Sequence, residues 1–423
     1  MSGVGAGSGS GSDGSASSGE SGVTGLSGIA GLSGVAGLNG IARPAAPFTI
    51  DTVEVHAEGE PGRVIPNAER FVRGETMAER LDYCVCELDG LRRLLLREPR
   101  GYPATCGVFL LPPVSDGADF GIVVLEQGGF TPMSGSNTIC AVTAAIETGI
   151  VPVRGPETEV VIDTAVGVVR ATAAVEVVDG GSSEGGGVGG GSVADGAAGG
   201  NSGERVKVRS VTVANVPSFA VEIDRPLTVP QLGEVLVDVV FGGQFFVQLD
   251  AAQLGIELLP ENAKQLARAG ALIKMAALEQ IEVRHPENPS IDKIAMTLIH
   301  NGDRQPGKQA RNANVLTSAP IDPEREESWT GVLDRSPCGT GTSSRMAALH
   351  ARGQLGLHED FSHRSIIGSE FIGRLVGETA VGEHRAVLPK ITGRGWITGR
   401  ATWQLDPSDP YREGFTVGDI WAE

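Results

Sequence analysis

Apolar and polar residues alternate along this chain with two different periods, and the period assigns the elements. A period near two marks strands at 48–55, 107–112, 119–126 and 159–177, then again at 206–217, 218–223, 293–300, 314–316 and 331–333. Three more follow at 361–371, 383–389 and 393–403. A helical period runs through 69–96, 230–236 and 261–282. Two further helices, after 134 and after 338, each end at a glycine 15 positions on, Gly149 and Gly353. Strands that outnumber helices, with the second half repeating the first, predict an α+β fold of two pseudo-symmetric half-domains, each built of strands around a long central helix. Residues 47–216 are expected to form the first half and 217–423 the second, whose last strands are free to return to the first.

Composition changes this picture at two places. Of 423 residues 61 are glycine, concentrated in 1–46 and 179–204. The first stretch carries three near-copies of Gly-Leu-[Ser/Asn]-Gly-[Ile/Val]-Ala between Gly25 and Ala42. Neither stretch has the apolar content for a core, so both are expected to be disordered. The tail has no basic start followed by an apolar run, so no signal peptide is expected, and its spaced glycines argue against a membrane span. The net charge of −18 argues against nucleic acid and anionic membranes as partners and leaves small molecules. Five scattered cysteines without a paired ligand pattern suggest reduced thiols in the cytoplasm and no metal site.

The candidate chemistry lies in Asp334-Arg335-Ser336-Pro337-Cys338-Gly339-Thr340-Gly341-Thr342. Pro337 favours an extended residue before it, the glycines let backbone approach a ligand, and a helix former follows. Cys338 is thereby set among free N–H groups, which are expected to favour a thiolate and to hold a carboxylate. Met133-Ser134-Gly135-Ser136-Asn137-Thr138 has the same form about two hundred residues earlier. The two turns are expected to aim two helix N-termini at one cleft, with a proton-transfer group on each face of a small substrate.

On these residues the chain resembles the proline racemase family, which includes 4-hydroxyproline 2-epimerases and trans-3-hydroxy-L-proline dehydratases. Further matches are His56-Ala57-Glu58-Gly59-Glu60-Pro61, Glu98-Pro99-Arg100-Gly101, Asn215-Val216-Pro217-Ser218-Phe219, Gly242-Gly243-Gln244-Phe245-Phe246 and Ile367-Gly368-Ser369-Glu370-Phe371. The resemblance implies a diaminopimelate-epimerase-like fold with the active site between the halves, no cofactor, an amino-acid substrate and abstraction of its Cα proton. It implies that Cys338 and Ser134 are the catalytic pair, that Asp334 contacts the substrate amine, and that Gly135, Ser136, Gly339 and Thr340 hold its carboxylate. A homodimer is compatible with it.

The family's first motif is altered here: Ser134 stands where a cysteine is typical and Ser136 where a histidine is. An alcohol is a proton donor but a poor acceptor without an adjacent base. That asymmetry puts dehydration of trans-3-hydroxy-L-proline first, with Cys338 as base and Ser134 as donor. Epimerisation of 4-hydroxyproline, or both reactions, comes next, and symmetric proline racemisation last. The non-enzymatic alternative is an inactive homologue that binds such a ligand. For Ser134 the structural role is an N-cap. Cys140 is expected in the core, Cys84 and Cys86 in ordinary packing, and His56 and His285 either at the cleft or in structural hydrogen bonds.

Overall fold

The chain is seen in a computed structural model that describes residues 48–179, 204–289, 291–302, 309–317 and 321–421. The tail and nearly all of the 179–204 stretch lie outside the described residues, as do the expectations placed on them. The first half contributes β1 (Phe48–Ala57), β2 (Glu60–Ile65), α1 (Met77–Glu87), α2 (Asp89–Leu96), β3 (Gly107–Leu111), β4 (Phe120–Glu126), β5 (Gly129–Thr131), α3 (Gly135–Glu147), β6 (Glu157–Thr164), β7 (Gly167–Asp179) and β8 (Glu204–Ala214). Then follow β9 (Phe219–Val229), β10 (Gly233–Phe241), β11 (Phe245–Asp250), α4 (Ala263–Gln280), β12 (Ile294–His300), β13 (Asn312–Leu316), β14 (Val332–Leu333), α5 (Gly339–Ala351), β15 (Asp360–Arg364), β16 (Glu370–Val381), β17 (His384–Gly393) and β18 (Gly395–Leu405).

These strands make a 12-stranded sheet in the order β15-β16-β17-β8-β7-β6-β4-β3-β2-β1-β18, with β5 on β4, and a 6-stranded sheet in the order β14-β13-β12-β11-β10-β9. The fold is α+β in two halves, and the passage from β8 to β9 changes sheet. The last strands hydrogen-bond back to the first-half sheet, β17 against β8 and β18 against β1.

Helix α3 is buried from Ser136 to Ile146, as a helix apolar all round must be. Its core is continuous with that of α5, for Ile139, Val142 and Ile146 share one cluster with Met346, Ala348 and Leu349. A second core lies under α4 and the smaller sheet, and a third under α1 and α2. Gly149 and Gly353 end α3 and α5 at φ +79° and +68°, a conformation that costs glycine little.

The structure corrects three sequence expectations. The helix expected over 69–96 is broken, because Thr76 and Glu79 form a capping box that starts α1 afresh and Leu88 separates α1 from α2. Residues 230–236 are not a helix. Gln231 and Gly233 take φ of 67° and 80°, making the hairpin turn between β9 and β10. The period assigns no element between 55 and 69, whereas Glu60–Ile65 forms β2 after a turn at Glu58 and Gly59.

Gly242, in the turn between β10 and β11, lies against the first turns of α5. A Cβ there would stand 2.4 Å from the Thr340 carbonyl oxygen and 2.5 Å from the Ser344 nitrogen. Since both are backbone atoms of a buried helix, Gly242→Ala is expected to lower stability by about 1–3 kcal/mol, read from the urea midpoint. An unchanged midpoint would show that α5 can shift freely against that turn.

Candidate active site

Helices α3 and α5 meet N-terminus to N-terminus. A Cβ built on Gly135 would stand 3.1 Å from the Cα of Gly339, and one built on Gly339 would stand 3.1 Å from the Cα of Gly135. Any side chain at either position would press the helices apart. Beside this contact is a cavity of about 140 Å³, the scale of a small metabolite. Its wall brings together all seven residues singled out from the sequence, Ser134, Gly135 and Ser136 from the first half and Asp334, Cys338, Gly339 and Thr340 from the second.

Cys338 is the N-cap of α5 at φ 65°, ψ 120°, a left-handed φ that costs a non-glycine residue about 1–3 kcal/mol and persists only where its surroundings impose it. Here they do. The Cys338 N–H donates to Ser336 Oγ at 3.1 Å. The preceding Pro337 carbonyl accepts from Asn312 Nδ2, Asn314 Nδ2 and Thr342 Oγ1 at 3.0, 3.2 and 3.2 Å. Both asparagines are fully buried on β13, and the ring of His363 lies against Asn312 and Thr342. Burial lowers the His363 pKa to about 3, so this imidazole stays neutral and serves as scaffold. None of these supports was found from the sequence, although two buried asparagines alternating in one strand are a signal it carries.

The Sγ of Cys338 accepts the Gly341 N–H at 3.4 Å and lies 3.5 Å from Thr340 Oγ1. These donors pull its pKa down, as the helix N-terminus was expected to do. Burial and the nearby charge of Asp334 outweigh them and push the thiol well up. The expectation of a ready thiolate is therefore corrected: the protein's own groups hold Cys338 as a thiol.

Asp334 Oδ1 accepts both the N–H and the Oγ–H of Ser336 at 2.8 Å. Glu60 Oε2 accepts the Arg335 N–H at 2.7 Å. The two carboxyls lie close enough to interact, and burial raises both, Glu60 further with help from the charge of Asp334. One proton between them is the arrangement that two close, dry carboxyls adopt.

Ser134 is the N-cap of α3, but its side chain makes no capping bond. Its Oγ instead accepts from Asn137 Nδ2 at 3.2 Å and pairs with Ser136 Oγ at 3.3 Å. Asn137 Nδ2 also reaches Cys106 Sγ at 3.3 Å, and that thiol donates to the Pro61 carbonyl at 2.7 Å. Glu60, Cys106, Glu126 and Asn137 also line the wall and were not found as site residues from the sequence. They come from β2, the approach to β3, the end of β4 and α3. The other candidates lie elsewhere. Cys140 is fully buried and raised by that burial, with its Sγ packed toward Gly62. Burial pushes Cys84 up to about 12 while Cys86 is exposed, and all five cysteines are free. His56 stacks on Trp396, and His285 packs on Phe241 while its Nδ1 accepts from Glu287 and Asn288.

The wall thus holds three carboxyl side chains, Glu60, Glu126 and Asp334, and no Lys, Arg or His. Such a wall offers a cation its carboxyl groups and a carboxylate the N–H groups of two helix ends. Among the described residues no group of three or more His, Cys, Asp or Glu could hold a metal ion, and no helix is long and apolar enough to cross a membrane.

The raised Glu60 has a consequence for stability. Above the ordinary glutamate pKa of 4.5 the unfolded chain loses a proton that the folded protein keeps, so stability falls as pH rises through that window. Glu60→Gln removes the penalty. The variant is expected to match the parent near pH 4.5 and to be more stable at pH 7.5, by about 1.4 kcal/mol for each unit by which the folded value is raised. Urea midpoints at the two pH values check this, and a variant less stable at pH 7.5 would contradict it.

The proline racemase family model matches residues 52–183 and 190–416. A 4-hydroxyproline 2-epimerase of Streptosporangium roseum is 41% identical over 365 residues, covering 86% of this chain and 97% of its own. A proline racemase of Clostridioides difficile is 34% identical, covering 87% of this chain and 98% of its own. Among solved structures, a hydroxyproline epimerase from Agrobacterium vitis with bound trans-4-hydroxy-L-proline superimposes with a TM-score of 0.72 at 35% identity, covering 88% of this chain and 96% of that one. With its fold, its paired helix ends and matches that span nearly the whole described chain, this protein is an enzyme that belongs to the proline racemase family.

Proposed function

We propose that the enzyme inverts Cα of a proline-type amino acid, with 4-hydroxyproline as the leading substrate. The observation that carries this is the charge of the cavity wall: three carboxyl groups and no basic side chain, together with two helix N-termini. A zwitterion fits it, its amine toward Asp334 and Glu60 and its carboxylate on the N–H groups of Gly135, Ser136, Gly339 and Thr340. Those donors also meet the charge that develops on the carboxylate when Cα is deprotonated. A bound amine would neutralise Asp334 and so remove part of what holds Cys338 as a thiol, which ties formation of the base to arrival of the substrate.

The named relatives are epimerases and racemases, so epimerisation takes first place ahead of the dehydration that the sequence alone suggested. Dehydration of trans-3-hydroxy-L-proline is the second reading. One observation favours it, since Asn137 Nδ2 donates to Ser134 Oγ and so disposes the hydroxyl to act as a donor, with Ser136 Oγ at 3.3 Å as its other partner. Incubating the protein with trans-4-hydroxy-L-proline, L-proline and trans-3-hydroxy-L-proline in deuterated water separates these outcomes. Inversion with Cα deuteration is expected to be fastest for the first, and Cys338→Ser is expected to reduce it at least about 100-fold. A pyrroline carboxylate formed only from the third substrate would favour dehydration, and no exchange with any of the three would reject both readings.

A further inference from the structure

Inversion makes a demand that Ser134 cannot meet alone. Each face of Cα must lose a proton in one direction and gain it in the other, and an unassisted alcohol does not accept a proton at neutral pH. A typical family member has a thiol at this position, so a Ser134 enzyme that inverts needs a second group on that face. Asn137 cannot serve, being an amide. Cys106 is reached through Asn137, but its proton is committed to the Pro61 carbonyl at 2.7 Å and burial raises it well above a usable range. Cys140 is packed in the core, away from the cavity wall.

Glu126 remains. It ends β4, and the β4–β5 hairpin leads directly into Ser134, so the same piece of chain delivers both residues to the wall. Both line that wall together with Cys106 and Asn137, and Asn137 Nδ2 holds Ser134 Oγ at 3.2 Å. The Glu126 backbone carbonyl accepts from the Arg92 guanidinium at 2.9 Å, which pins the strand end. The charged or titratable groups that bear on this region are Asp334 from the second half, Glu60 from β2, Cys106 from the segment before β3, Cys140 from α3 and Arg92 from α2. Burial and the charge of Asp334 bring the Glu126 carboxyl to about 7, so it exchanges a proton near neutral pH.

We propose that Glu126 is the acid–base group of the Ser134 face. This rests on the epimerase reading above. In one direction the Cα proton passes to Ser134 Oγ while the Ser134 hydroxyl proton goes to the Glu126 carboxylate, and the Cys338 thiol gives its proton to the opposite face of Cα. Glu126 ends as the acid and Cys338 as the thiolate. The reverse direction runs the same transfers backwards, and no proton or electron is left over.

The test compares full-length wild type, Glu126→Gln and Glu126→Asp on trans-4-hydroxy-L-proline and on its C2 epimer in deuterated water. Inversion and Cα deuteration are followed separately by NMR, with melting curves checking that each variant folds. In Glu126→Gln, inversion is expected to fall at least about 100-fold in both directions, as the overall equilibrium requires. Deuteration without inversion should persist within a few-fold for the one epimer whose Cα hydrogen faces Cys338. Glu126→Asp should recover part of the inversion with its pH profile displaced. Loss of deuteration from both epimers alike, a higher KM with unchanged kcat, or undiminished inversion would each overturn the assignment. If the wild type neither inverts nor deuterates either epimer, the epimerase reading itself fails, and this assignment falls with it.

Discussion

The contact on which the site depends is between two glycines. Helices approach this closely only where neither carries a side chain, and Gly135 and Gly339 put the first turns of α3 and α5 within van der Waals reach of each other. That brings two sets of unbonded N–H groups to one point and sets their N-caps, Ser134 and Cys338, in one cavity wall. The shared core holds the pair there. Residues of α3 and α5 pack into one cluster with the strands around them, so the two halves cannot move apart without exposing it.

The electrostatics of the cavity oppose its own chemistry until a ligand arrives. Burial raises Glu60, Glu126, Asp334 and Cys338 together, the carboxyl groups add to one another, and local donors and the Arg335 charge pull the other way. A dry site of this kind stores acid–base groups in neutral forms and makes their charges depend on what binds. The left-handed backbone at Cys338 is a related cost, borne by a buried scaffold of Asn312, Asn314, Thr342 and His363 that reaches no substrate itself.

Local features were legible in the sequence and long-range ones were not. The two turns, their helices and their closing glycines could be read because cap, helix and stop lie within about fifteen residues of one another. The α+β class followed from the alternation of short strands. Residues 230–236 were misread because a seven-residue window cannot tell a helix from a turn entering a strand, whereas the backbone at Gln231 and Gly233 can. Glu60, Cys106 and Glu126 escaped because they reach the cavity through strand order, from β2, the approach to β3 and the end of β4, and no spacing in the sequence reveals that neighbourhood. The ready thiolate failed for a different reason: a helix N-terminus is visible in a sequence, but the desolvation that outweighs it is not.

The central claim is that positions 134 and 338 face one another across a single small chamber. Replacing Ser134 by cysteine and treating the protein with one equivalent of 1,3-dibromoacetone tests it, since the reagent joins only thiols that share a confined space. The account predicts one intramolecular bridge between the peptides carrying positions 134 and 338, prevented by trans-4-hydroxy-L-proline. Two separately alkylated thiols with no bridge would contradict it.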